Sequence, residues 1–518
     1  MMKGEVLIGI DAGTSVIKAV AFDLSGREVA AAHRRNHYHN LANGGVEQEM
    51  NRTWHDTIAV VREVVESVGP ERVSALGVTG QGDGTWLIDN DDQPIHDGWL
   101  WLDARATEEA REITNSQHID EIYRTTGAGV NVCQMRTHLS WMKKHAAGLL
   151  ERAAVAFHCK DWLYLKLTGI RATDPTEGVI SFGDFRHGNY AETVFEALNL
   201  GHLRHLMPDI VDGAEMTHGL TSEAARAVGL PTGLPVALGY VDVLCTALGA
   251  GLHDSEAMPG FSVLGSTGMH MRFAPDPESV QLNPDLTGYV MAFPGQARAQ
   301  MQTNMAATLN IDWIVGIAKQ MLLSQGFSVS AEKLLSDFDD KLLSARLGRA
   351  IYHPYIAKAG ERGPFIEPTA RASLTNLDQS TDWFDLVRSV YDGLVLATRD
   401  CYSAMGEIPG EVRLCGGGTR SAALRKLLAS ALNRPVRTVD QEEAGAAGAV
   451  MIAGIATGLF ADAAAATKSW VLPLLRDAEM PDPTLVRSYD CLFEAYKESR
   501  TNLPPVWAAQ TALRESLP

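Results

Sequence analysis

The chain has 518 residues with 45 basic and 63 acidic side chains, which gives a formal net charge of −18 at pH 7. Apolar residues make up 46% of it and charged residues 21%, which is typical of globular proteins and excludes a fibrous, collagen-like or largely disordered chain. Because the chain is acidic and has no lysine- or arginine-rich run, we expect no nucleic-acid partner, and its length predicts two large domains or more.

The start of the chain has the pattern of a strand meander. Residues 6–10 form a β-rich run, residues 11–15 a turn and residues 16–22 a second alternating run. Another turn leads into a third run that ends near Ala32. We therefore predict three consecutive strands joined by short turns.

After this meander, strand and helix patterns alternate. Residues 54–68 have the apolar spacing of an amphipathic helix, and residues 73–78 that of a strand. The strand leads into the glycine-rich stretch 79–85. Strands that alternate with helices predict an α/β architecture with mixed sheets.

The middle of the chain repeats the opening arrangement. Residues 261–271 again have the pattern of a strand, a glycine turn and a strand. We predict a duplicated fold with a cleft between two domains, residues 1–253 and residues 254–518. A helix over residues 485–500 and a less regular tail are expected at the end of the second domain.

The segment 444–461 and the cysteines bear on the compartment in which the protein works. Residues 444–461 are uncharged but mostly alanine and glycine, which predicts a closely packed buried helix and no membrane partner. No signal peptide is predicted at the start. The six cysteines lie far apart without a CxxC pair, so we expect them to fill the core as reduced thiols. These features predict a cytoplasmic protein.

The turn after the first strand could bind a phosphate. Gly13 lets backbone N–H groups approach a phosphate, and the hydroxyls of Thr14 and Ser15 can donate to it. The carboxylate of Asp11 beside this turn could hold Mg²⁺ through water. An ordinary Asp-Gly hairpin turn explains the same residues.

A single carboxylate, Asp242, follows the apolar run 234–240 and precedes a helix of small residues. At the end of a strand, this carboxylate could act as a general base that accepts a proton from a hydroxyl group. The same position also suits a helix N-cap. Both interpretations are open at this point.

Residues 413–421 have the pattern of a strand, a glycine turn and a helix, where nucleotides can bind. The spacing of Gly416, Gly418 and Ser421 lacks the third glycine of the dinucleotide-binding motif, so a structural turn is an equal alternative. The chain has no GxxxxGK[ST] phosphate loop and no HExxH zinc motif.

In combination, a series of motifs resembles the FGGY family of carbohydrate kinases. The motifs occur in the family's order between about residues 5 and 500, at residues 11–18, 77–81, 101–105, 160–169, 172–174, 229–242, 264–268 and 416–436. The resemblance implies an α/β fold of two actin-like (ribonuclease H-like) ATPase domains that flank a deep cleft. It also implies an enzyme that transfers a phosphoryl group from ATP to an alcohol.

The resemblance implies a role for each site residue. Asp242 would be the general base, and Asp11 would help to hold Mg²⁺. Residues implied to contact the substrate are Gln81, Asp83, Trp101, Cys133 and Asp242. Residues implied to contact ATP are Gly13, Thr14, Ser15, Lys18, Ser266, Thr267, Gly268, Gly416, Gly417 and Gly418.

Departures from the family pattern bear on the substrate. After the position of Gln81, glycerol kinases have Arg-Glu and xylulokinases Met-His, whereas this chain has Gly82 and Asp83. Cys133 stands where a family tyrosine contacts glycerol. The run 78–87 is similar to that of the family's erythritol kinases, which implies that erythritol is converted to erythritol 4-phosphate. Glycerol, threitol, xylitol or xylulose as the substrate, a non-catalytic nucleotide-binding regulator, and assembly as a homodimer stay open.

Overall fold

Two six-stranded β-sheets organise the chain, one in each half of the sequence. The structure, a computed structural model, describes residues 5–517. The strands of the first half are β1 Val6–Ala12, β2 Val16–Asp23, β3 Glu28–Arg35, β4 His39–Asn40, β5 Val46–Gln48, β6 Val73–Gly80, β7 Trp86–Ile88, β8 Gly98–Trp99, β9 Val155–Phe157, β10 Ala172–Thr173, β11 Gly183–Asp184, β12 Asn189–Tyr190, β13 Asp209–Ile210, β14 His218–Gly219 and β15 Pro235–Leu238. Its helices are α1 Met50–Val68, α2 Thr107–Thr114, α3 Ile119–Thr126, α4 Met135–His145, α5 Ala147–Arg152, α6 Cys159–Thr168, α7 Pro175–Phe182, α8 Glu192–Ala197, α9 Ser222–Val228 and α10 Asp242–Gly249.

The second half contains fewer strands and longer helices. Its strands are β16 Gly260–Leu264, β17 Gly268–Ala274, β18 Tyr289–Ala292, β19 Arg298–Asn304, β20 Ile351–His353, β21 Ser373–Thr375, β22 Val412–Cys415 and β23 Val436–Thr438. Its helices are α11 Thr308–Ser324, α12 Ala331–Leu342, α13 Trp383–Ala404, α14 Ala422–Leu432, α15 Ala444–Ala456, α16 Ala463–Trp470, α17 Pro483–Asn502 and α18 Pro504–Ser516.

The first sheet has the strand order β14-β15-β6-β1-β2-β3. Strands β1, β2 and β3 pair antiparallel, as the predicted meander requires, whereas β6 is parallel to β1 and β15 is parallel to β6. The apolar runs of β1 and β6 are buried along almost their whole length, which is typical of strands covered on both faces.

The second sheet repeats this arrangement, with the order β18-β19-β17-β16-β22-β23. Strands β16, β17 and β19 pair antiparallel, and β22 and β23 continue the sheet in parallel from β16. Three antiparallel strands followed by two parallel ones therefore occur in both halves. The predicted duplicated, actin-like α/β fold is confirmed, whereas the boundary at residue 254 stays a prediction.

Helices α10 and α15 follow the last strand of each sheet and pack against each other. Glycines bring their backbones together: a Cβ atom added to Gly448 would lie 1.9 Å from the carbonyl oxygen of Cys245, and one added to Gly249 would lie 2.1 Å from that of Ala444. Helix α15 also packs against β1 and β6 of the first sheet. The predicted closely packed helix is confirmed, although it ends at Ala456.

None of the helices in residues 5–517 is both long and apolar enough to cross a membrane. All six cysteines are free, and four of them are buried. Cys491 is exposed, so the prediction that every cysteine fills the core is wrong there, because the buried face of α17 is formed by other side chains, mainly aromatic ones. The cytoplasmic location and the homodimer stay predictions.

Candidate active site

A cleft is lined by residues of both halves. The first half contributes turns that follow β1 and β6 and the start of α10, and the second half contributes the hairpin between β16 and β17. The polar residues on its walls are Thr14, Asp83, Trp101, Glu177, Asp242, Thr267, Tyr289, Thr303 and Arg362. The cleft therefore brings together three of the turns that the sequence singled out.

Side chains from the first half of the chain hold the turn between β1 and β2. Thr14 Oγ1 donates to Gln81 Oε1 at 2.9 Å and accepts from Trp101 Nε1 at 2.8 Å. The carbonyl oxygen of Gly13 accepts from Asn36 Nδ2 at 2.9 Å, and Ser15 is exposed. The hydroxyl of Thr14 is thus fixed at the cleft wall.

Gln81 is only 2% exposed and lies behind Thr14. Its Nε2 donates to Gln48 Oε1 at 2.9 Å, while its Oε1 receives the Thr14 hydroxyl. Gln81, which was predicted to contact the substrate, therefore lies behind the surface of the cleft wall and supports that wall.

Asp242 is the first residue of α10, and its carboxylate reaches the cleft. The residue at the N-cap is Val241, so the N-cap interpretation of Asp242 is wrong. Asp242 Oδ1 accepts from the neighbouring Val243 N–H at 2.7 Å. Burial, together with the charge of Asp11, raises the pKa of Asp242 to about 8.

Asp11 lies near the end of β1, beside the start of α15. A Cβ atom added to Gly445 would lie 2.8 Å from Asp11 Oδ2, which shows how closely the helix approaches this carboxylate. Burial raises the pKa of Asp11 to about 6, the charge of Lys18 opposes this shift, and that of Glu443 adds to it. Two desolvated carboxylates, Asp11 and Asp242, therefore share one region of negative charge.

Lys18 pairs with Asp11 in the β1–β2 register, and its ammonium group binds Glu443 at 2.7 Å. Glu443 immediately precedes α15 and was not singled out from the sequence. In the sequence, Glu443 is marked only as part of an acidic pair that directly precedes the uncharged helix of small residues. The ion pair joins β2 of the first sheet to the helix that follows the second sheet.

The hairpin between β16 and β17 faces the Thr14 turn across the cleft. Ser266 and Thr267 are exposed at its tip, and Thr267 and Gly268 line the cleft. The N–H of Ala307 donates to the Ser266 carbonyl oxygen at 2.8 Å, which ties the hairpin to the start of α11. The two predicted strand–turn–strand units therefore present their tips to a common space.

A second cavity lies beside the glycine turn after β22. Gly417 and Gly418 line it together with the starts of α11 and α14 and with α12. Gly416 precedes them at φ +95°, where a Cβ atom would lie 2.7 Å from the Leu264 carbonyl oxygen. Two of the three predicted nucleotide-contact glycines thus lie on the cavity wall.

Asp83 also lines the first cleft. This residue has φ +53°, and its Oδ2 accepts from Cys133 Sγ at 3.6 Å and lies 3.5 Å from the Tyr289 hydroxyl. Burial raises the pKa of Asp83, and the charges of His158 and Arg362 oppose the shift. Cys133 is buried and lies behind Asp83, whereas Trp101 is 36% exposed on the cleft wall.

Four polar cleft residues were missed by reasoning from the sequence: Glu177, Tyr289, Thr303 and Arg362. Glu177 lies in the first turn of α7, just after the motif at residues 172–174, which could have drawn attention to it. Tyr289 and Arg362 lie next to glycines, Gly288 for the first and Gly360 and Gly363 for the second, but nothing in these segments links them to the other motifs.

Comparisons with known proteins agree with this arrangement. The family model for the N-terminal domain of the FGGY family of carbohydrate kinases matches residues 6–249, and that for the C-terminal domain matches residues 260–457. An erythritol kinase of Brucella abortus is 47% identical over 508 residues, which cover 98% of each chain. A xylulose kinase of Staphylococcus xylosus is 23% identical over 95% of this chain and 99% of its own.

Solved structures of sugar kinases have the same fold. A ligand-bound xylulose kinase from Lactobacillus acidophilus has a TM-score of 0.88 at 20% identity, over 97% of this chain and 99% of its own. A Plasmodium falciparum glycerol kinase with ADP has a TM-score of 0.80 at 16% identity, over 95% and 98% of the two chains. Both likenesses concern the two-domain α/β architecture.

Proposed function

This chain belongs to the FGGY family of carbohydrate kinases, and we propose that it transfers the γ-phosphoryl group of ATP to erythritol to give erythritol 4-phosphate. The observation that carries the proposal is the position of Asp242, which lies in one cleft with both hairpin tips and with Asp83. The 47% identity to the Brucella abortus erythritol kinase supports the choice of polyol.

Asp242 is the proposed general base. A hydroxyl group is a poor nucleophile, and a carboxylate within reach can accept its proton as the oxygen attacks phosphorus. In this step a new oxygen–phosphorus bond forms, the bond from the γ-phosphorus to the bridging oxygen of ATP breaks, and ADP leaves. Because burial and Asp11 favour protonation of Asp242, its carboxylate is a stronger base than an exposed aspartate.

The two hairpins are the proposed binding surfaces for the phosphates of ATP. Their tips carry the hydroxyls of Thr14, Ser15, Ser266 and Thr267 and the backbone at Gly13 and Gly268. Lys18 stands beside the first hairpin and supplies positive charge, balanced by Glu443. The adenosine would then lie in the second cavity against the turn of Gly416, Gly417 and Gly418.

The donor set around Asp11 fits a magnesium ion. Asp11 and Asp242 are desolvated carboxylates whose charges repel each other, and Glu443 adds to this repulsion. Carboxylate oxygens are the protein ligands that Mg²⁺ prefers, usually together with phosphates. We propose that Asp11 holds the ion, which when bound neutralises charge on the transferred phosphoryl group.

The polyol would occupy the end of the cleft around Asp83 and Trp101. Asp83 offers a carboxylate to the substrate hydroxyls, and the small thiol of Cys133 behind it leaves room that a larger side chain would fill. The apolar residues that line the same cleft include Met269, Met291 and Met301. This combination suits an uncharged polyol with more hydroxyls than glycerol.

A substrate panel tests the proposal. We expect kcat/KM for erythritol to exceed that for glycerol by at least about tenfold, because an unpaired Asp83 carboxylate penalises a shorter polyol. ADP release would be measured with erythritol, threitol, glycerol, xylitol and xylulose under identical conditions. If the enzyme prefers xylulose or xylitol, that compound and not erythritol is the substrate. Nucleotide binding without phosphoryl transfer to any of the five compounds would favour a non-catalytic regulator.

The pH dependence of catalysis tests the role of Asp242. Its pKa is raised to about 8, and a base must be ionised, so kcat/KM should rise as the pH increases towards about 8. Added Mg²⁺ should move this rise to lower pH, because a cation beside Asp11 stabilises the ionised carboxylate. The measurement is kcat/KM against pH at limiting and at saturating Mg²⁺, with the coupling enzymes in excess throughout. If kcat/KM rises at the same pH at limiting and at saturating Mg²⁺, the proposed position of the ion beside Asp11 is contradicted.

A further inference from the structure

Asp83 has a backbone conformation that needs support. Its φ of +53° lies in the left-handed region, which costs a residue with a side chain free energy and persists only where the surroundings enforce it. The preceding residue is Gly82, where a Cβ atom would lie 2.4 Å from Val241 Cγ2 and 2.5 Å from Glu177 Oε1. The turn that carries Asp83 is thus pressed against Glu177.

Glu177 holds this turn directly. Its Oε1 accepts from the Asp83 N–H at 3.1 Å, and its Oε2 lies 3.3 Å from His158 Nε2. The Glu177 carboxylate is fully buried although it lies at the cleft wall. Oε1 is engaged by the turn, whereas Oε2 has this charge contact but no hydrogen bond among the described residues. The link from Glu177 to the proposed polyol site therefore runs through Asp83.

His158 is in turn held by a buried charge network at the start of α6. Its Nδ1 lies 3.1 Å from Asp161 Oδ2, and Lys160 Nζ binds Asp161 at 2.9 Å and Asp174 at 2.5 Å. Asp174 caps α7 and accepts from the N–H of Glu177 itself. The network therefore contacts Glu177 at its backbone, through Asp174, and at its carboxylate, through His158.

From this geometry we infer that Glu177, oriented by His158, is a positioning residue for polyol selectivity. It locks the left-handed turn so that the Asp83 carboxylate points at the substrate hydroxyls. The inference rests on the proposed function, since it assigns Asp83 to the polyol site. A loss of Glu177 should weaken polyol binding and leave the phosphoryl-transfer groups in place.

A double-mutant cycle with Glu177→Ala, Asp83→Asn and the double variant tests the inference, because alanine removes the acceptor of the Asp83 N–H, whereas glutamine would keep one. With the polyol that the wild type prefers, each single variant should raise KM by at least about tenfold and change kcat by less than about threefold. The double variant should have a KM no higher than that of Asp83→Asn, because Glu177 acts through that residue. The inference would be overturned if KM of the double variant rose by the product of the two single-variant increases. A lower kcat at unchanged KM would overturn it as well.

Two controls separate this result from misfolding and from failure of the proposed substrate. The Kd for ADP should be unchanged in all variants, and replacement of Glu196, an exposed residue of α8, by alanine should leave KM unchanged. If Glu177→Ala does not fold, His158→Gln removes the ionisable group beside Glu177 Oε2 and should give the same coupling with Asp83→Asn. If the wild type prefers another polyol, the proposed substrate is wrong. The double-mutant cycle is then measured with that polyol, and its expected result is the same.

Discussion

Replacement of Asp242 by asparagine should lower kcat by about a thousandfold, because the amide cannot accept the proton of the attacking hydroxyl. The amide has nearly the shape of the carboxylate and can still accept from the Val243 N–H, so α10 should keep its first turn. The measurement is kcat for the preferred polyol, together with the Kd for ADP. Asp91→Asn, at an exposed position between β7 and β8, is the matched control and should turn over normally.

The stability of the same variant distinguishes lost chemistry from lost structure. The pKa of Asp242 is raised from 3.8 to about 8 on folding, so the folded protein binds more protons than the unfolded chain between these values. Wild-type stability therefore falls as the pH rises through this window. In Mg²⁺-free buffer near pH 8, the asparagine variant should have a Tm at or above that of the wild type. Turnover within tenfold of wild type would reject Asp242 as the base, and a large drop in Tm would attribute the loss to folding.

Replacement of Gly448 by alanine should reduce the free energy of unfolding by at least about 3 kcal/mol or prevent folding. The added methyl group would lie 1.9 Å from the Cys245 carbonyl oxygen. This oxygen belongs to the helix backbone, so it cannot rotate away as the end of a flexible side chain could. Helices α10 and α15 would have to separate, which would disturb the buried contacts of α15 with β1 and β6.

Gly316→Ala is the matched control, since Gly316 is also a glycine within a helix but has no atom within 4 Å of the position of its Cβ. Alanine is the better helix former by about 1 kcal/mol, so this variant should be as stable as the wild type or more stable. Urea unfolding midpoints and soluble yield would be compared for both variants. Equal midpoints for Gly448→Ala and the wild type would contradict the tight contact.

The sequence predicted the features that depend on local patterns. Alternating apolar runs broken by glycine turns located both hairpins, and the isolated carboxylate after an apolar run located Asp242. These signals are local because strands, turns and helix starts depend mainly on neighbouring residues. The confirmed repetition of one sheet topology in both halves followed from the same signals.

Contacts between distant segments could not be predicted in this way. Lys18 and Glu443 are 425 positions apart, and their ion pair exists only because α15 packs against the first sheet. Gln81 matched a family motif, yet a motif does not tell which side chain forms a wall and which lies behind it. Arg362 enters the cleft from a segment whose position depends on the folded second half.

The crossing of α10 and α15 has a mechanical consequence. Asp242 begins one helix, and Glu443, bound to Lys18, immediately precedes the other. Because backbone meets backbone at Gly249 and Gly448, these helices cannot slide along each other without a clash. The crossing therefore holds Asp242 and the Lys18–Glu443 ion pair at a fixed spacing, so a substitution that separates the helices should also disturb the geometry of the cleft.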